Sequence, residues 1–193
     1  MAKEPPPPLP SAMSAADLSA AVKWPELATC YDWLSLDRRG CWRLKGQIVS
    51  HAGLINYINR HYGAGDSGNW ILRNGAQTVF VSLEYTPIVL RLEVDERLTA
   101  HTGTAADPVS GVYLDEEGNA LLHTALGIGL LDDRDLPRFA DAFRDASGEA
   151  AGEGALLAAM NGREGVFWRG LPVQAIKRSE VALRFRFQPD PAA

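Results

Sequence analysis

The chain has 193 residues, 46% hydrophobic and 22% charged, which is apolar material enough for one domain or two small ones sharing a core. Its formal net charge is −5 and unevenly placed: residues 1–97 carry ten Lys/Arg against ten Asp/Glu, and residues 98–193 carry nine against fourteen. An acidic second half without a basic stripe argues against nucleic acid or an anionic membrane as the main partner, and two cysteines, Cys30 and Cys41, are too few for a disulfide framework.

The N-terminal MAKEPPPPLPSAM places prolines where the apolar core of a secretory signal would lie, so residues 1–13 read as a disordered, Pro-rich leader. No apolar run is long enough to span a bilayer, which predicts a cytoplasmic protein with free thiols. A short helix is expected from Ser14 to before Pro25. From Tyr31 the pattern alternates, Asp37-Arg38-Arg39-Gly40 reads as a turn, and Cys41 to Leu44 returns as a strand. Ser50 is placed to cap a helix Ser50–Tyr62, with Leu54, Ile55, Ile58 and Tyr62 on one face and Gly63 and Gly65 ending it. Trp70 to Leu72, a turn at Asn74-Gly75 and the return Val79 to Leu83 predict a hairpin in which Leu72 lies near Val79. Pro87 marks the entrance of a strand with Ile88, Leu90, Leu92 and Val94 inward.

Residues 95–110 read as a polar loop. Val112 to Leu114, the turn Asp115-Glu116-Glu117-Gly118 and Ala120 to Thr124 form a second hairpin. A helix Asp133–Ala146 follows, then helical turns near 155–160 and strands at 166–168 and 173–176. A last strand is expected with Val181, Leu183, Phe185 and Phe187 facing in. The units are therefore 14–97 and 98–193, sharing or abutting one core. The fold class is α+β, a twisted antiparallel sheet or roll with two packed helices. The halves also begin alike: the Asp37–Gly40 turn lies 78 residues before Asp115–Gly118, and Leu54 aligns with Leu136 once four residues are inserted. Two related β-hairpin–helix–β units are a reading this permits; chance recurrence of a common turn is the other.

The runs WLSLDRRGCWRLKGQIVSHAGLINYI, GNWILRNG and VSLEYTPIVLRLE resemble an uncharacterised bacterial family of domains of unknown function, best over residues 31–94. That resemblance implies an α+β roll and brings no catalytic residues with it.

Chemistry-bearing motifs are sparse. Gly63-Ala64-Gly65-Asp66-Ser67-Gly68 matches a dinucleotide fingerprint by letter, but a helix precedes it and a strand follows, the reverse of what the pyrophosphate needs. His51, His61, His101 and His123 do not share metal-ligand spacing, so neither a metal nor any cofactor is expected. The leading expectation is a non-enzymatic module that binds a small ligand or a protein on a surface near Trp70, Arg73, Gln77, Glu84 and Arg91, because aromatics beside polar groups supply contact area with a polar handle. The alternative is an enzyme of unrecognised type using Cys41, His51 and Glu84. A homo-oligomer is left open.

Overall fold

A computed structural model describes residues 25, 27–163 and 165–192. The expected leader and the helix after Ser14 lie outside the described residues. The fold is α+β, with two large, mostly antiparallel sheets and four α-helices among the described residues.

The first sheet holds β1 (Thr29–Leu36), β2 (Trp42–Leu44), β3 (Gln47–Ile48), β4 (Tyr62–Ala64), β5 (Trp70–Asn74) and β6 (Gln77–Leu83), in the order β3-β2-β1-β6-β5-β4. The second holds β7 (Ile88–Leu92), β8 (Leu98–Ala100), β9 (Val109–Leu114), β10 (Ala120–Thr124), β11 (Gly127–Leu131), β12 (Phe143–Asp145), β13 (Val166–Trp168) and β14 (Leu171–Ala175), in the order β12-β13-β14-β9-β10-β11-β7-β8. The helices are α1 (Ala52–His61), α2 (Leu136–Asp141), α3 (Glu153–Met160) and α4 (Arg178–Phe185).

Strand order is the same in the first sheet and in β9 to β14 of the second. In each, the first strand runs parallel to the sixth, and the order is three strands, a helix and three strands, the second set adding α3 between β12 and β13. Registers agree too: Leu34 faces Leu44 and Leu36 faces Trp42, as Val112 faces Leu122 and Leu114 faces Ala120, at the 78-residue offset. The hairpin that follows is two residues longer on each arm in the second sheet, since Arg43 opposes Ile48 where Leu121 opposes Leu130. That is the four-residue insertion.

Two apolar clusters form because sheet residues alternate between faces. On β7, Val89 belongs to the cluster between the sheets, while Ile88, Leu90 and Leu92 belong to a second cluster under α2 and α3. Leu121 and Leu122 divide between the clusters in the same way. The second sheet is thus buried on both faces, and α1 closes the first cluster with Leu54, Tyr57 and Ile58.

Several expectations are corrected. The N-cap of α1 is His51, whose Nδ1 accepts from the Leu54 amide at 3.3 Å, rather than Ser50. The helix ends by passing directly into extended Tyr62 and β4, so Gly63 and Gly65 are not its terminators. In the β5–β6 hairpin Leu72 does pair with Val79, but Asn74 pairs with Gln77 and the loop is Gly75-Ala76, with Gly75 at φ 62°. Among the loop residues only glycine takes positive φ, the pattern of a II′ turn. Val94 is 91% exposed in a turn beyond β7. β8 interrupts the expected 95–110 loop. The helix expected over Asp133–Ala146 is a 3₁₀ turn, Asp133–Asp135, then α2, then strand β12.

The segment expected as a last strand is α4. Val181, Ala182 and Phe185 face the core at i, i+1 and i+4, and Leu183 is 83% exposed. Val181 and Phe185 satisfy both a strand and a helix pattern, which is how a two-residue alternation arose in a helix.

Candidate functional site

A cleft of about 580 Å³ lies where α1, the β4–β5 edge and the end of the β7–β8 hairpin meet. Burial of Leu54, Tyr57 and Ile58 turns the polar side of α1, Asn56, Asn59 and Arg60, into the cleft wall. Asn59 is held from two directions: its Oδ1 accepts from the Trp42 indole at 2.7 Å and its Nδ2 donates to the His101 carbonyl at 3.3 Å. The Tyr62 hydroxyl donates to the Pro87 carbonyl at 2.8 Å and ties the β4 edge to the entrance of β7. Its burial pushes the phenol pKa well above the ordinary value, so it stays a neutral donor. Trp70 lies 5.1 Å from Tyr62, ring to ring, and forms the aromatic floor with it.

His101 leads the turn after β8. Its Nδ1 accepts from the Val89 amide at 3.2 Å, which puts the ring proton on Nε2 in the neutral form. Nε2 is buried and has no hydrogen-bond acceptor; the ring meets Trp42 and Tyr62 edge-on at 5.3 and 5.7 Å. Burial lowers its pKa to about 4. Gly40 fixes where this ring sits: at φ +77°, a Cβ there would come within 2.7 Å of His101 Cβ. The turn that opens the sequence motif therefore braces the cleft from behind.

A second hollow, about 450 Å³, lies where the Asp37–Gly40 turn meets Asn119, Leu131 and Asp133. Its arginines are all engaged. Arg38 donates to Asn119 at 2.6 Å, Arg39 makes a bidentate pair with Asp133 at 2.6 and 3.1 Å, and Arg43 pairs with Asp37 at 3.1 Å. Those charges are satisfied within the chain and leave no open donor set for a ligand. No three His, Cys, Asp or Glu converge as metal ligands among the described residues.

The family model DUF2944, described as "Protein of unknown function (DUF2946)", matches residues 13–192. The chain belongs to that family. No curated protein matches. Among solved structures, a DUF1285 family protein from Silicibacter pomeroyi DSS-3 is 15% identical, covers 88% of this chain and 98% of its own, and superposes with a TM-score of 0.51. Another DUF1285 protein, from Shewanella baltica OS155, is 17% identical over 55% of this chain and 89% of its own, with a TM-score of 0.44. At these identities the first likeness shows fold alone. No helix in this DUF2944 chain is long and apolar enough to cross a membrane, among the described residues.

The five residues proposed from sequence do not share one surface. Trp70 lines the cleft, and Glu84 lines the second hollow, where it accepts from the Arg38 amide at 3.3 Å. Arg73 is exposed on β5. Gln77 donates to the carbonyls of Pro25 and Leu27, each at 2.6 Å, and so anchors the chain entering β1. Arg91 is on β7 of the other sheet and pairs with Asp135 at 2.7 Å. Cys41, His51 and Glu84 share no hydrogen bond among the described residues. Burial, and next the Asp37 charge, push the Cys41 thiol up, against what a nucleophile needs. Asn59, Arg60 and His101 were not singled out as cleft residues from sequence. They come from a helix and a hairpin end about forty residues apart, and only the polar His101-Thr102-Gly103-Thr104 run hinted at them.

Proposed function

We propose that the protein is a non-enzymatic module that binds a small ligand in the cleft between α1, the β4–β5 edge and the β7–β8 hairpin end, and that its two sheets are copies of one ancestral unit. One observation carries the binding reading: the helix that covers the β12–β13 pair in the second sheet has no counterpart over the β4–β5 pair in the first, where Leu72 is buried but the Trp70 position stays partly exposed. By strand register Tyr62 corresponds to Phe143, Trp70 to Val166 and Leu72 to Trp168. In the second sheet all three are buried, and α3, inserted between β12 and β13, packs over them with Ala155, Leu156 and Ala159. In the first sheet β4 and β5 are joined by residues 65–69, which contain no α-helix, and Trp70 is left only partly buried at the cleft. A pre-formed hollow with aromatic and amide walls is the usual form of a ligand site.

The proposed setting is a reducing cytoplasm, supported by two free thiols. A fragment screen read by amide and indole NMR shifts tests the reading. The expected result is a cluster of shifts at the Trp70 indole and the Asn59 side-chain amide, lost in Trp70→Ala. Shifts confined to the second hollow, or scattered, would overturn it.

A further inference from the structure

We propose that the ligand of this cleft is a monoanion with an apolar or aromatic body, its carboxylate-like head held by Arg60 and its body lying on Trp70 and Tyr62. This rests on the cleft reading given above and adds the chemical class.

Charge supports it first. Arg60 is exposed on the last turn of α1 and makes no ion pair among the described residues, whereas Arg38, Arg39, Arg43, Arg91 and Arg134 are each paired with a carboxylate. No Asp or Glu lines the cleft. A cationic ligand would find no counter-charge there. A polyphosphate would bring two or more charges to a single guanidinium, leaving the rest desolvated and uncompensated. One guanidinium beside one carboxylate is the balanced case, and the guanidinium fork suits a planar anion.

The remaining lining supplies the rest of the recognition. Asn56, Thr102 and Thr104 are neutral hydrogen-bonding groups at the cleft, while Ile88 and Leu126 extend the apolar floor beyond the two aromatic rings.

Two fluorescent probes of nearly the same shape separate charge from cavity: 1-anilinonaphthalene-8-sulfonate, an aromatic monoanion, and N-phenyl-1-naphthylamine, its uncharged analogue. Both are titrated into the full chain and into the Arg60→Gln, Arg60→Lys and Trp70→Ala variants. The expected result is saturable one-to-one binding of the anionic probe, weakened about tenfold by Arg60→Gln and largely retained by Arg60→Lys. The neutral probe is indifferent to both Arg60 variants, and Trp70→Ala weakens both probes. If the probes bind and need Trp70 but Arg60→Gln leaves the anionic one unchanged, the monoanion assignment is overturned and the cleft reading survives. If neither binds with one-to-one stoichiometry, or Trp70→Ala changes nothing, the cleft reading falls and takes this inference with it.

Discussion

His101 is a neutral imidazole held between rings, and its protonation must work against the fold. Its folded pKa, about 4, lies below the unfolded value of about 6.5, so between those values the unfolded chain binds more protons and stability falls as pH falls. The contribution is fully present above the unfolded value and is lost on acidification towards pH 4. Its upper size is on the order of 3 kcal/mol. Urea midpoints measured from pH 7 to pH 4 should decline in the wild type, and His101→Asn, whose Oδ1 can replace the Nδ1 acceptor, should flatten that part of the decline. An unchanged slope in the variant would assign the acid sensitivity elsewhere. Gly68 sets a second constraint of one atom. It sits at φ +81°, and a Cβ would lie 2.6 Å from the Arg186 carbonyl oxygen, where the chain leaving α4 crosses and the Gln188 amide donates to the Gly68 carbonyl at 2.9 Å. Backbone cannot yield as a side-chain tip can. Gly68→Ala should cost about 1–3 kcal/mol in denaturant unfolding, while Gly46→Ala, with open space around its Cβ, should cost only the strain of its positive φ.

At the scale of elements, α4 offers a sharp test because strand and helix make opposite claims about one side chain. In a strand, Val181, Leu183 and Phe185 share a face; in the helix, Leu183 turns away from Val181 and Phe185. Leu183→Glu is therefore expected to change stability by no more than about 0.5 kcal/mol, and Val181→Glu to destabilise by several kcal/mol through an unpaired buried charge. Equal penalties would restore the strand. The error has a physical origin: with arginine at 184 and 186, the apolar residues of this helix happen to alternate, and periodicity over seven residues does not separate the two geometries. The β5–β6 hairpin was legible because its signal is local, yet its turn slipped by one residue. Asn74 is drawn into side-chain contacts instead, its Oδ1 accepting from the Tyr57 hydroxyl at 2.8 Å and its Nδ2 donating to Gln77 at 3.0 Å. Of the cleft, only Trp70 could be found from sequence, as an aromatic at a strand start. Arg60 and His101 matter because of what stands opposite them after folding, and no local pattern encodes that.

The whole molecule is organised by a sheet that serves two cores, and this governs how it should unfold. Leu72 is fully buried in the cluster between the sheets, and Leu122 is fully buried in the cluster under α2 and α3. Were these clusters independent, the chain would melt in two steps, and each substitution would move only its own step. They are not separable by backbone. Val89 and Leu90 are neighbours on β7, Leu121 and Leu122 neighbours on β10, and each pair sends one side chain to either cluster. Losing one cluster strips a face from the strands that support the other. A single cooperative transition is expected from intrinsic tryptophan fluorescence, which samples the first cluster through Trp42 and the second through Trp168, and from far-ultraviolet circular dichroism. Leu72→Ala and Leu122→Ala should each lower that one midpoint, by about 2–5 kcal/mol in ΔG, without changing the slope against denaturant. A biphasic curve in which Leu122→Ala shifts only one phase would mean that the second sheet can keep one core while losing the other. The shared strands would then be a point of contact between two folding units, not the common wall of one.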